Sequence, residues 1–202
     1  MRIGRVFAMD EFRIAIVLWD GVEELDFAGP YEVLTAWARG SERPVTVTAV
    51  ARSTEPVTCS HGLRIIPDTT FDELGDVDLF VNPGGRVDPL LEDGAYLARL
   101  RAMADGGTLM TSVCNGALVF QKAGLLEGRR AATHWGSYDR LEELGVEVDR
   151  EARWVDEGKV VTSAGVSAGI DMALHLIARL ESDEMSAKIR RYIQYEPEAV
   201  SL

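Results

Sequence analysis

The sequence predicts an α/β fold, an open and mainly parallel sheet covered by helices on both faces, and two observations carry that expectation. Short apolar, β-branched segments recur along the chain, and helical periodicity fills most of the intervals between them. Most of these apolar segments are continuous rather than alternating, the pattern of strands buried on both faces of a parallel sheet. With 202 residues and no linker rich in Pro, Ser or Gly, residues 12–202 are expected to form one layered domain.

Phe12-Arg13-Ile14-Ala15-Ile16-Val17-Leu18 reads as the first core strand, preceded by an extension of residues 1–11 to which no function is assigned. After Asp20-Gly21, Val22 to Phe27 and then Tyr31 to Leu34 have helical spacing, with Pro30 tolerated early in a helix. Val45 to Val50 alternates like a strand, and shorter strands are expected at Val57-Thr58-Cys59 and Leu63-Arg64-Ile65-Ile66. Asp78-Leu79-Phe80-Val81 is a further apolar strand, ended by Asn82-Pro83-Gly84-Gly85. Tyr96 to Ala104 is helical and stops at Gly106-Gly107, and Thr108 to Val113 is the next buried strand. Helices are expected over Ala117 to Lys122, before Gly124, and over Tyr138 to Leu144, before Gly145. Val160-Val161-Thr162-Ser163 is the last strand, followed by helices from Ile170 to Leu180 and from Met185 to Ile193.

A formal net charge of −12 would repel nucleic acid and anionic membrane surfaces, so neither is expected as a partner. No apolar run approaches the ~20 residues that span a bilayer, and Met1 to Ala8 lacks the apolar core of a signal peptide, so a cytoplasmic location is expected. The two cysteines, Cys59 and Cys114, are far apart and lack CxxC spacing, which indicates neither a disulfide scaffold nor a zinc site.

The strongest local signal is Ser112-Val113-Cys114-Asn115-Gly116-Ala117, where a buried strand runs directly into a helix with the cysteine at the junction. This is the logic of a nucleophile elbow with sulfur in place of hydroxyl, and its sharp turn needs small residues such as Ser112 and Gly116 on either side. The turn presents Cys114 at the carboxyl edge of the sheet, where open α/β folds place ligands. A helix starting at Asn115 would favour thiolate over thiol. Pro83-Gly84-Gly85 ends another strand at the same edge, and its unhindered N–H groups suit a partial oxyanion hole. Glu23, Glu24 and Asp26 cluster at the start of the first helix. A carboxyl group in the apolar setting of Leu25 and Phe27 would hold a proton, hydrogen-bond a thiolate and pass that proton to substrate, although all three acids also suit a helix start.

These segments together resemble the ThiJ/PfpI superfamily: Leu25 to Val33, Asn82 to Gly85, Ser112 to Ala117, Ala123 to Trp135 and Ser163 to Asp171. Within it they are similar to isonitrile hydratases and to the ligand-sensing domains fused to AraC-type regulators. The resemblance implies a flavodoxin-like three-layer α/β/α sandwich, commonly a homodimer, acting on a small-molecule substrate with no metal and no organic cofactor. It implies Cys114 as nucleophile and, among the three acids, Asp26 as its partner. Isonitrile hydratases carry threonine after the cysteine, where this chain has Asn115. Asn115 can still offer its backbone N–H to an anion, and its side chain could orient water. Asp26→Asn is expected to raise the thiol pKa if the two groups are coupled.

No histidine supplies the motif of a cysteine amidotransferase triad. His134, beside Trp135, is expected to line the substrate pocket with Gly84, Gly85 and Asn115; His175 reads as a core histidine and His61 as surface. Two other functions fit the same residues: a ligand-sensing domain without turnover, and a thiol-based carbonyl-stress protein of the glyoxalase or deglycase kind.

Overall fold

The computed structural model describes residues 10–196, so residues 1–9 of the expected extension and residues 197–202 lie outside the described residues. The first half of the chain forms β1 (Phe12–Val17), α1 (Glu24–Gly40), β2 (Val45–Ala51), β3 (Val57–Thr58), β4 (Arg64–Ile65), β5 (Thr69–Thr70), β6 (Leu79–Asn82), α2 (Asp88–Leu91) and α3 (Gly94–Asp105). The second half forms β7 (Leu109–Val113), α4 (Gly116–Lys122), β8 (Arg130–Ala131), a 3-10 turn (Trp135–Ser137), α5 (Tyr138–Glu143), β9 (Glu147–Val148), β10 (Trp154–Asp156), β11 (Val160–Ser163), α6 (Ala168–Leu180) and α7 (Asp183–Tyr192).

Seven strands make one sheet in the order β10-β11-β7-β6-β1-β2-β5, parallel except at β10, which runs antiparallel to β11. β1 shows why continuous apolar runs build it. Ile14, Ile16 and Leu18 enter one core with Trp37, Met172 and Ile177, while Ala15 and Val17 enter the other with Leu100, Leu118 and Phe120. Each face therefore carries a helical layer, α1, α6 and α7 on one side and α3, α4 and α5 on the other, which is the expected α/β/α sandwich.

The structure departs from the sequence reading mostly at edges. β3 and β4 pair with each other as an antiparallel hairpin outside the sheet, held to the loop after β1 by Gly21 N–H on the Thr58 carbonyl at 2.8 Å. The edge strands β5 and β10 are two and three residues long and partly polar, too short to register as periodic. α1 begins at Glu24 rather than Val22, because Val22 forms a β-bridge with Gly85. Pro30 sits inside α1, past its first turn.

The helix around that proline is pressed against α6. A Cβ on Gly29 would lie 2.9 Å from Ile170 Cγ1, and one on Gly169 would lie 3.1 Å from Pro30 Cγ. This close crossing brings Asp26 in α1 beside Val166, two residues before α6. β6 and β7 pair with Asn82 opposite Ser112, so the turns that follow both strands open at one sheet edge.

Candidate active site

Cys114 follows β7 with φ of +60°, a left-handed conformation that costs a non-glycine residue on the order of 1–3 kcal/mol. Three contacts hold it there. Its N–H reaches the Ser163 and Ala164 carbonyls at 3.2 Å each, and Thr133 Oγ1 donates to its carbonyl at 2.8 Å. The small residue required after the elbow is confirmed at Gly116, whose Cβ would sit 2.5 Å from the Asn82 carbonyl and 2.6 Å from that of Pro83.

The structure separates the three acids of the first helix. Glu24 accepts the His61 N–H at 2.7 Å and pairs with its ring at 2.8 Å; Glu23 lies 3.3 Å from the same ring. Asp26 is wholly buried and turns inward: its Oδ2 accepts Gly84 N–H at 2.8 Å, and its Oδ1 makes no hydrogen bond of ordinary geometry. The Cys114 thiol and the Val166 N–H lie beside this carboxyl group. Burial, reinforced by the negative charge of Glu23, pushes the Asp26 pKa up to about 7 against the pull of the Gly84 bond. It is therefore poised to exchange a proton near neutrality.

Two expectations are corrected by this geometry. The thiol is not shifted toward thiolate: burial first, and then the Asp26 charge, push the Cys114 pKa up, outweighing the N–H groups of Asn115 and Val166 that face the sulfur. α4 spans only Gly116–Lys122, and Cys114 is 7% exposed, so desolvation exceeds what one short helix start returns. Because the Asp26 carboxylate raises the thiol pKa, Asp26→Asn is expected to lower it, the reverse of the sign inferred from sequence. The pair titrates as a unit that gives up the first of its two protons near pH 7.

The second correction concerns Pro83-Gly84-Gly85. Gly84 N–H is engaged by Asp26, and Gly85 N–H by Asn115 Oδ1 at 2.9 Å, so neither donor is free for an oxyanion. Asn115 Nδ2 returns a bond to the Gly85 carbonyl at 2.9 Å, so the amide clamps the turn instead of facing open solvent to orient water. Gly84 must be glycine for a steric reason. A Cβ there would lie 2.7 Å from Asp26 Oδ2 and 2.9 Å from Cys114 Cβ, and closer still to Asn115 Oδ1.

His134 is half-buried, with its ring against Gly165, where any Cβ would collide with it. Its Nδ1 accepts the Gly136 N–H at 3.1 Å, its ring lies 5.2 Å from that of the exposed Trp135, and no hydrogen bond joins it to Cys114 or Asp26 among the described residues. His175 is partly exposed rather than in the core, paired with Asp156 at 2.7 Å and stacked on Trp154.

Sequence reasoning gave no role to Thr133 or Val166. Val166 has φ of +52°, exceptional for a β-branched residue, and no local pattern beyond the preceding Gly165 marks it in the sequence. Among the described residues, Glu23, Glu24 and His61 alone converge closely enough to hold a metal ion. There the His61 pKa is raised by its bond to Glu24, and the ring Nδ1 lies 2.8 Å from Glu24 and 3.3 Å from Glu23.

Comparison with known proteins agrees with this fold. The model of the DJ-1/PfpI family matches residues 12–179. Isonitrile hydratase of Pseudomonas putida is 39% identical over 186 residues, covering 92% of this chain and 79% of that protein. The HTH-type transcriptional regulator GbdR of Pseudomonas aeruginosa is 33% identical over 142 residues, 69% of this chain but 38% of the regulator. The crystal structure of a THiJ/PfpI family protein from Pseudomonas syringae superposes with a TM-score of 0.84 at 30% identity, covering 98% of this chain and 80% of that one.

Proposed function

This chain belongs to the DJ-1/PfpI family, and from that premise we propose that it is a cysteine-dependent, isonitrile hydratase-like lyase that adds water to an isonitrile to give an N-substituted formamide. The observation that carries the reading is the buried Asp26 carboxyl group beside Cys114, with its pKa raised to about 7. An isonitrile needs a nucleophile and a proton at the same terminal carbon, and this pair supplies both.

Sγ of Cys114 attacks that carbon while the proton shared with Asp26 moves to it. The S–C and C–H bonds form as the C–N triple bond becomes a double bond, giving a thioformimidate. Water then adds to the carbon; Asp26 takes its proton and delivers it to nitrogen. The tetrahedral adduct expels sulfur, which recovers the remaining proton of that water, and the formamide leaves. The raised thiol pKa suits this sequence, because the proton stays in the pair until the electrophile arrives. The N–H groups of Asn115 and Val166 face the sulfur and would stabilise its charge as it leaves. In this reading Gly84, Gly85 and the Asn115 side chain hold the pair in place, and His134 borders the substrate.

Homodimerisation and a cytoplasmic location belong to the same proposal. Leu25, Tyr31, Leu63 and Ile66 supply exposed apolar surface, and no helix among the described residues is long and apolar enough to cross a membrane. The alternative, a ligand-sensing domain without turnover, is favoured by the Asn115 clamp, which puts an amide engaged with Gly85, and no hydroxyl, directly after the cysteine. Formamide release from alkyl and aryl isonitriles, measured for wild type and Cys114→Ala, decides between them. Turnover in the wild type only supports the hydratase; binding with no formamide from either protein transfers the reading to the sensor.

A further inference from the structure

The Pro83-Gly84-Gly85 turn is the hub of the site, since it bonds Asp26 through Gly84 and Asn115 through Gly85. What fixes the turn from beneath is a second buried polar contact. Asn82, the last residue of β6, is wholly buried, although Leu79, Phe80 and Val81 before it show that apolar side chains serve this strand. Burying an amide there is unfavourable unless its polar atoms are paired. They are paired: Asn82 Nδ2 donates to the Pro83 carbonyl at 2.9 Å, and Asn82 Oδ1 accepts the hydroxyl of Tyr96 at 2.5 Å. Tyr96 reaches in from α3, in the opposite helical layer from Asp26, and is itself 5% exposed. The contact also lies directly under the elbow, because a Cβ on Gly116 would meet Asn82 and Pro83 backbone oxygens.

We propose that Asn82 and Tyr96 are positioning residues for the Asp26–Cys114 pair: their buried amide–phenol contact fixes the Pro83 carbonyl, and with it the turn that delivers Gly84 N–H to Asp26 Oδ2. The strand would form without either polar group, but the turn would then be free to tilt between Asp26 and Asn115. The titratable groups facing Asp26 are Cys114 and Glu23, and the remaining polar neighbours are the N–H groups of Gly84 and Val166. Weakening the Gly84 bond removes stabilisation from the carboxylate only. The pair then loses its first proton at higher pH, and a larger share of the singly ionised form carries its charge on sulfur.

The inference rests on the Asp26–Cys114 pair but not on the isonitrile, so the test avoids that substrate. Iodoacetamide labelling of the Cys114 peptide, followed by mass spectrometry across the neutral pH range, is compared for wild type, Tyr96→Phe and the double variant Asn82→Leu/Tyr96→Phe, with a thermal melt of each. The expected result is a lower midpoint of the labelling profile displaced upward by about one pH unit, with less than about a twofold change at pH 7 and a labelling rate up to about tenfold faster on the plateau above it. The double variant leaves neither Asn82 nor Tyr96 with a bare polar atom, so it serves if Tyr96→Phe folds poorly. Melting temperatures that fall while both labelling profiles superpose on the wild type would reduce the contact to a structural one and overturn the proposal. Absence of formamide production bears on the hydratase reading alone.

Discussion

Replacing Gly84 by alanine adds one methyl group, and the structure says where it must go. It would meet Asp26 Oδ2 at 2.7 Å and Cys114 Cβ at 2.9 Å, with Asn115 Oδ1 nearer still. Gly84 does not have a left-handed φ, so the penalty is steric. None of the three neighbours is the free end of a flexible chain: Asp26 is held by Gly84 itself, Asn115 by Gly85, and Cys114 by the elbow. Overpacking of this kind costs about 1–3 kcal/mol, and displacing Gly84 N–H from a carboxylate adds about 1.5–3 kcal/mol. A combined loss of about 2.5–6 kcal/mol lowers Tm by roughly 5–24 °C in a chain of this size. The matched control is Gly94→Ala at the start of α3, where nothing lies within 4 Å and φ is not positive. There the same methyl group should be neutral or stabilise by up to about 1 kcal/mol. Differential scanning calorimetry of both variants, with iodoacetamide labelling of Cys114, checks the argument. If Gly84→Ala melts within about 2 °C of wild type and its labelling profile is unchanged, the crowding inferred around Asp26 does not exist.

Asp26→Asn should be more stable than wild type above neutral pH. A folded pKa raised to about 7 stabilises the fold fully only below the ordinary carboxylate range and loses that contribution as pH rises through 7. The difference reaches on the order of 4 kcal/mol and vanishes in acid, and denaturant melts at several pH values would contradict this by showing a pH-independent gap. The same variant should label at Cys114 at lower pH than wild type, since the carboxylate charge that raises the thiol pKa is gone; a shift to higher pH would return the sign to the one inferred from sequence. Asn115→Ala strips both partners from the Gly85 backbone and should cost about 1–3 kcal/mol, read as a lower denaturant midpoint at unchanged slope. No loss would mean that the clamp contributes nothing to the fold.

The layered fold was legible because its signals are local. Continuous apolar runs marked β1, β6, β7 and β11, and a strand running into a helix through Cys114-Asn115-Gly116 marked the elbow. The short edge strands β5 and β10 were missed because neither offers a period to read. The hairpin of β3 and β4 was expected as strands but not as a unit apart from the sheet, since pairing is not written in either segment.

The sequence by itself determined that an α/β sheet would carry a cysteine on a strand-to-helix turn with three acids clustered at the start of the first helix. The resemblance singled out Asp26 among them, but only the tertiary structure decided that its carboxyl group is buried against Gly84 and Cys114, that the thiol pKa goes up rather than down, and that the glycine N–H groups are already bonded. The physical reason is that these outcomes depend on desolvation and on partners distant in the chain. Asp26 and Gly84 are 58 residues apart, and Asn115 and Gly85 are 30 apart. Periodicity and turn chemistry report what a residue does within its own segment. The burial of a charge is set by whatever the other segments bring against it.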